Sequence, residues 1–136
     1  MRATIKLLPL AMLAAIPALS PARAADDPLA ALRWRSRVVV ALAPTSADPL
    51  LAAQRRIFAK LGAAGRERDL ALVAAADDTA EGAALRRRFG GEGFLAVLVG
   101  KDGGEKLRSG SPLGRGALFP LIDAMPMRRD EVARRP

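Results

Sequence analysis

Three apolar runs in the chain after residue 37 predict β-strands. They span Val38 to Ala43, Asp69 to Ala76 and Phe94 to Val99. The first run is continuous and rich in β-branched residues, and it has no polar alternation. This pattern is typical of a strand that is covered on both faces. The sequence therefore predicts a sheet that lies between other layers of structure.

A segment with helical spacing of apolar residues follows the first strand. The pair Asp48-Pro49 predicts the start of a first helix, because aspartate caps free N–H groups and proline fits the first helical position. Apolar residues then recur on one face as far as Leu61. We expect Gly62 or Gly65 to end this helix.

Two more helices and a hairpin complete the pattern. We expect the second helix at Ala80 to Phe89, where three arginines in the last turn complement the negative end of the helix dipole. The turn Lys101 to Gly104 predicts a hairpin, since its Asp-Gly pair suits a tight turn. Apolar spacing from Leu118 to Met125 predicts a last helix that Pro126 stops, which leaves Met127 to Pro136 as a basic tail. The order β-α-β-α-β-β-α predicts an α/β fold with helices layered on a sheet.

The first 24 residues have the three parts of a secretory signal peptide. Arg2 and Lys6 form a positive start, Leu7 to Leu19 is an apolar run of 13 residues, and Ala22 to Ala24 gives the small-x-small cleavage pattern. A membrane span needs about 20 apolar residues. We therefore expect cleavage after Ala24 and no stable membrane anchor, with an exported chain, periplasmic or secreted, that begins at residue 25.

Composition excludes several classes of chemistry. The chain has no Cys and no His, which removes thiolate nucleophiles, disulfides and metal sites built on either residue. The pairs Asp26-Asp27 and Asp77-Asp78 lack the alternating oxygen ligands of a calcium loop. We therefore expect no metal and no cofactor. Lys and Arg number 22 against 14 Asp and Glu, but stacking aromatics are scarce, so nucleic acid is not an expected partner.

The order of elements is that of the thioredoxin core, and Phe89 to Gly103 is similar to the loop, third core strand and hairpin of thioredoxin. More narrowly, the chain resembles a domain-of-unknown-function family of small exported bacterial proteins. This is the thioredoxin-like DUDES group, which also occurs in vertebrate sushi-repeat extracellular proteins. The matching segments are Pro28 to Trp34, Gly100 to Lys106 and Leu121 to Arg129. The resemblance implies a mixed four-stranded sheet with helices on both faces over residues 25–136.

The chain departs from thioredoxin where the redox chemistry would lie. The Cys-x-x-Cys site falls near Ala47 to Leu50, and the proline that precedes a core strand falls near Leu95, yet neither the cysteines nor that proline is present. Disulfide exchange and thiol peroxidase activity both need a thiolate, so both are excluded. Pro120 falls inside the last helix, where it costs about 3 kcal/mol unless the helix starts later or kinks.

Thr45, Ser46 and Asp48 stand at the position of the lost redox centre. Free N–H groups and hydroxyls at the start of a helix can hold an anion or a polar ligand. Ordinary helix capping explains the same residues without a ligand. We assign no catalytic residue.

Three further candidate binding residues are Lys101 in the hairpin turn and Arg128 and Arg129 in the tail. Lys101 would form part of a ligand patch beside the hairpin, and the arginines of the tail would dock to an acidic partner. The alternative is a solvated turn and a frayed, solvated tail. Trp34 is expected to cover one end of the core.

These observations predict an exported thioredoxin-like protein without redox chemistry that binds an unidentified protein partner in the exported compartment. Two alternatives stay open. One is an enzyme of a non-thiol class that uses Ser46, Asp48 or Lys101. The other is an arginine-mediated binder of an anionic cell-surface polymer.

Overall fold

The computed structural model describes residues 27–136. The predicted signal peptide, residues 1–24, lies outside the described residues. In chain order the elements are a 3-10 turn (Ala30–Leu32), β1 (Arg37–Ala43), α1 (Pro49–Glu67), β2 (Leu70–Ala76), α2 (Ala80–Phe89), β3 (Leu95–Val99), β4 (Glu105–Ser109), α3 (Arg115–Asp123) and α4 (Pro126–Ala133). Among the described helices, none has the length and apolar character needed to cross a bilayer.

The strands form one mixed sheet in the order β2-β1-β3-β4. β1 pairs with β2 in parallel, starting at Arg37 beside Leu70. β3 is antiparallel to β1, with Val38 opposite Val99, and β4 is antiparallel to β3. Four strands in this mixed arrangement confirm the predicted thioredoxin-like α/β fold.

The core lies on both faces of the sheet because every residue of β1 is buried. Val39 and its alternate neighbours pack with α1 and α3 through residues such as Leu61 and Leu118. Val40 and its alternate neighbours pack on the other face with Leu85 of α2. The prediction of a strand covered on both sides is therefore confirmed.

Gly62, one of the two predicted ends of the first helix, interrupts it but does not end it. Gly62 has φ of 51° and ψ of −133°, which kinks α1, but the helix resumes and runs to Glu67. Glycine adopts a positive φ without the Cβ clash that other residues meet. A single such residue therefore bends the helix here instead of ending it.

Pro120 does lie inside a helix, as its place in the sequence indicated. It is the sixth residue of α3, and it removes the N–H that would pair with the carbonyl of Gly116. Both residues are exposed, so solvent is available to that carbonyl.

The chain beyond Asp123 differs from the predicted frayed tail. Pro126 is not followed by a frayed segment; it starts one more helix after α3, which is α4. Proline is well suited to this first helical position.

Candidate functional site

The candidate binding residues lie at two opposite ends of the sheet. Thr45, Ser46 and Asp48 follow the carboxyl end of β1. β3 is antiparallel to β1, so Lys101, two residues after β3, lies at the amino end of β1. α4 reaches this same end through an ion pair between Glu131 and Arg37. The structure therefore separates the candidates into two groups.

The loop after β1 is exposed and polar. Thr45 and Ser46 are both exposed, and Asp48 accepts a hydrogen bond at 2.8 Å from the backbone N–H of Leu50. This is the ordinary capping contact of a helix start. The carboxylate that a non-thiol enzyme would use here is thus engaged with its own helix.

The amino end of β1 holds four charged side chains that we call the ionic cluster: Arg37, Asp69, Lys101 and Glu131. Arg37 is 1% exposed and Lys101 is 9% exposed. Burying a charge is unfavourable unless it is paired and hydrogen-bonded. These two buried cations therefore require carboxylates close by.

Glu131 supplies the main carboxylate. Arg37 Nη2 donates to Glu131 Oε1 at 3.1 Å, and Arg37 Nη1 donates to Oε2 at 3.2 Å. Lys101 Nζ donates to the same Oε1 at 2.6 Å and to Asp69 Oδ2 at 2.8 Å. One carboxylate on α4 thus joins Arg37, at the start of β1, to Lys101, in the turn after β3.

Local backbone geometry brings the first two members of the cluster together. Arg37 opens β1 and Asp69 immediately precedes β2, its parallel neighbour. The backbone N–H of Arg37 donates to the carbonyl of Asp69 at 2.9 Å. Asp69 has φ of 50°, a left-handed conformation that aspartate tolerates better than most residues.

A second set of ion pairs extends the cluster toward α3 and the end of α1. Arg68 binds Asp123 through two hydrogen bonds of 2.9 Å each. Arg128 is 3% exposed, and its Nη1 donates to the carbonyl of Glu67 at 3.0 Å. Arg135 Nη1 contacts Glu67 Oε1 at 2.7 Å. Together these contacts tie the end of α3, α4 and the residues that follow α4 to Glu67 and Arg68 at the end of α1.

The contacts of Glu131 and Asp123 favour the charged forms of these two carboxylates. Burial raises the pKa of Glu131, but hydrogen bonds from Arg37 and Lys101 outweigh burial and leave its pKa below the ordinary value of 4.5. The hydrogen bond from Arg68 lowers the pKa of Asp123 below 3.8. Both groups are therefore ionised at neutral pH.

A cleft opens beside the ionic cluster. Its volume is about 280 Å³, and it is lined by Arg37, Gly100, Lys101, Asp102, Lys106 and Met125 to Met127. Asp102 and Lys106 pair with each other at 3.0 Å. The size is near the lower limit of small-molecule sites. Three cationic side chains, one carboxylate that is paired with Lys106, and apolar groups thus line the same opening.

Trp34 lies next to the turn that lines this cleft. Its backbone N–H donates to the carbonyl of Lys101 at 2.7 Å. The side chain is 61% exposed, and the guanidinium of Arg33 stands 5.6 Å from the ring centre. The expectation that Trp34 covers the core is therefore wrong. The backbone at Trp34 has φ of 68°, a conformation that is unusual for a large residue.

The interpretation of Lys101 and Arg128 as solvated side chains is also wrong, since both are buried in ion pairs. Arg129 is exposed, as expected for the tail. Sequence reasoning missed Arg37, Asp69 and Glu131. A signal existed for the first two, because each is a charged residue that adjoins the start of an apolar strand.

The described residues contain no group of His, Cys, Asp and Glu that could hold a metal ion. A family model described as a domain of unknown function, DUF4174, matches residues 28–131. This match contains all four members of the ionic cluster. No curated protein shows significant similarity to the chain.

Proposed function

The chain belongs to the DUF4174 domain family, and we propose that it acts outside the cytoplasm as a thioredoxin-like binding module without redox chemistry. The signal-peptide pattern of residues 1–24 supports export. The absence of Cys from all 136 residues supports a role other than thiol exchange. With no thiol to use, the fold contributes surface shape and charge.

One observation carries the proposal, the solvent-exposed and conformationally strained Trp34. A non-glycine residue with positive φ costs on the order of 1–3 kcal/mol, and such strain concentrates at functional sites. Trp34 gains little from burial, since the residue is 61% exposed. A binding role explains why a large apolar side chain is held in this position.

The residues around Trp34 indicate the kind of partner. Arg33 and Arg35 flank it and are both exposed, and neither forms an ion pair with a carboxylate of residues 27–136. Tryptophan and arginine are the residues that most often anchor protein interfaces. We call Arg33 to Arg35 the Trp34 surface, and it suits a protein with an acidic, partly apolar face.

Site-specific photo-crosslinking of the full chain in cells tests this role. A photoreactive phenylalanine analogue replaces Trp34 in one variant and Leu50 in the control. Leu50 is also an exposed apolar residue, at 41%, but it lies at the opposite end of the sheet. We expect a discrete protein adduct at position 34 and none at position 50.

Affinity for the captured protein then gives a quantitative check. Trp34→Ala is expected to weaken binding at least tenfold, as loss of an interface anchor does. Leu50→Ala is expected to leave binding unchanged. Capture through position 50 alone, or equal affinity of the Trp34→Ala variant and the unmodified chain, would contradict the proposed surface.

A separate observation supports a second role, the binding of an anionic cell-surface polymer. Four basic side chains of α1 are exposed and form no ion pair within the described part of the chain: Arg55, Arg56, Lys60 and Arg66. No acidic residue lies between Pro49 and Arg66. Such an uncompensated cationic face attracts polyanions, and salt weakens the attraction.

Retention on an anionic polysaccharide resin tests this second role. The triple variant Arg55→Gln, Arg56→Gln, Lys60→Gln is compared with Arg87→Gln, Arg129→Gln, Arg134→Gln. The control removes the same charge from three exposed arginines elsewhere. We expect the α1 variant to elute at clearly lower salt than the control. Equal elution would show that only net charge matters.

A further inference from the structure

The ionic cluster has the composition of an anion-binding site that is filled by the protein itself. Arg37 and Lys101 are both more than nine-tenths buried, and they converge on the carboxylate of Glu131. Paired cationic donors of this kind are the usual recognition elements for carboxylate groups. Their present occupant comes from the last helix of the chain.

The attachment of α4 depends on charges and not on apolar packing. Arg128 is the one buried residue of this helix, while Met127 is 40% exposed and Val132 is 52% exposed. The helix has eight residues, and an isolated helix of this length is marginal in water. Glu131 therefore leaves the cluster if α4 gives up a few ion pairs.

The cluster retains hydrogen-bonding capacity beside the cleft. Arg37 Nε is buried and has no hydrogen-bond partner among residues 27–136. Lys101 Nζ makes two hydrogen bonds within this part of the chain, although an ammonium has three donors. Both side chains line the cleft of about 280 Å³, whose other walls include Met125 and Met127.

We propose that Arg37 and Lys101 bind a small organic carboxylate with a short apolar tail, and that Glu131 competes with this ligand as an internal substitute. The carboxylate of the ligand replaces that of Glu131, and its tail lies against Met125, the cleft methionine that precedes α4 and packs on the core. Binding frees α4 from the sheet. This site does not depend on the Trp34 surface, and its test needs no protein partner.

The competition has a measurable consequence. While Glu131 occupies the cations, the apparent affinity for an external anion falls by the fraction of molecules in which the site is free. If α4 is docked in about 90–99% of molecules, removing the internal carboxylate tightens binding by about 10- to 100-fold. The ligand then binds a variant better than it binds the unmodified protein.

Backbone amide NMR titrations of the full chain test the proposal, with hexanoate as the probe. Hexan-1-ol carries the same tail without the charge, and inorganic phosphate carries charge without the tail. We expect saturable shifts at residues 37, 101 and 126–133 with hexanoate only. Matching shifts with hexanol, saturation by phosphate in place of hexanoate, or no saturable shift would each overturn the proposal.

Charge-neutral variants on α4 supply the matched comparison. Glu131→Gln removes the internal competitor, whereas Asp130→Asn makes the same change one residue away, at an exposed position without an ion pair in the described chain. We expect hexanoate to bind Glu131→Gln at least tenfold more tightly than Asp130→Asn. Equal affinities would refute competition by Glu131.

A variant that keeps the internal carboxylate paired guards against a folding defect in Glu131→Gln. Lys101→Met removes one cation, and Glu131 retains its two hydrogen bonds to Arg37. We expect hexanoate to bind this variant at least tenfold more weakly than it binds the unmodified chain. An unchanged affinity would show that Lys101 is not part of the site.

Discussion

Replacement of Glu131 by glutamine is the most informative perturbation of the charged end. The change removes one negative charge that accepts three hydrogen bonds, two from Arg37 and one from Lys101. Glutamine keeps a single oxygen acceptor and adds an N–H donor, which faces two cations. The side chain keeps its size, so the change acts on charge and hydrogen bonding.

The magnitude follows from the burial of the partners. Removing one partner of a buried ion pair costs about 3–5 kcal/mol. The side chain of Glu131 is 21% exposed, and α4 can move to admit water, so we expect a smaller loss of about 2–3 kcal/mol in the free energy of unfolding. For a domain of this size that corresponds to a fall in Tm of roughly 10–20 °C.

Urea and thermal unfolding followed by circular dichroism measure this loss. Asp130→Asn is the control, because an exposed surface change of this kind alters stability by about 0.5 kcal/mol or less. If Glu131→Gln and Asp130→Asn differ by less than about 0.5 kcal/mol, the ion pairs do not hold α4, and the reasoning about the charged end fails.

Three other predictions concern pH, strain and the internal proline. Because the pKa of Glu131 is lowered in the folded chain, Glu131 contributes fully to stability above pH 4.5, its ordinary pKa, and the contribution is lost as the pH falls below that value. Urea unfolding at pH 6 and pH 3 should therefore show a larger loss of stability on acidification for Asp130→Asn, which keeps Glu131, than for Glu131→Gln. Equal losses would contradict this. Trp34→Gly relieves the backbone strain of a positive φ of 68°, so we expect the free energy of unfolding to be unchanged or to rise by up to about 1 kcal/mol in the same assay. A loss above about 1 kcal/mol would show that Trp34 stabilises the fold. Pro120→Ala restores a helix N–H, so Tm should rise with a gain of about 1–3 kcal/mol, whereas a lower Tm would indicate that α3 needs the proline.

The strands and helices follow from patterns that are local in the sequence. The apolar run Val38 to Ala43 predicts a strand because its burial requires only neighbours above and below the sheet. The pair Asp48-Pro49 predicts the start of α1 because both residues act within one helical turn. Local rules of this kind placed the elements in the right order.

The ionic cluster depends on contacts that no local pattern contains. Arg37 and Glu131 are 94 residues apart in the chain, and Lys101 reaches them only through the antiparallel register of β1 and β3. Read alone, a run of charges after Pro126 indicates a solvated tail. The tail is instead a helix whose Glu131 pairs with two buried cations, Arg37 of β1 and Lys101 of the turn after β3.

Trp34 shows a different reason for failure. A large aromatic residue near a strand is most often buried, and the sequence gives no sign of the positive φ found here. The backbone contact to the carbonyl of Lys101 fixes this conformation from another element. Its exposure therefore becomes visible only in three dimensions.

Amide hydrogen exchange of the full chain, alone and with the protein captured through position 34, tests most directly which end of the sheet binds. Slower exchange is expected at residues 33–35 and 101–104, with no change at residues 44–50. Protection confined to 44–50 would contradict the assignment and return the binding role to the end where thioredoxins keep their cysteines.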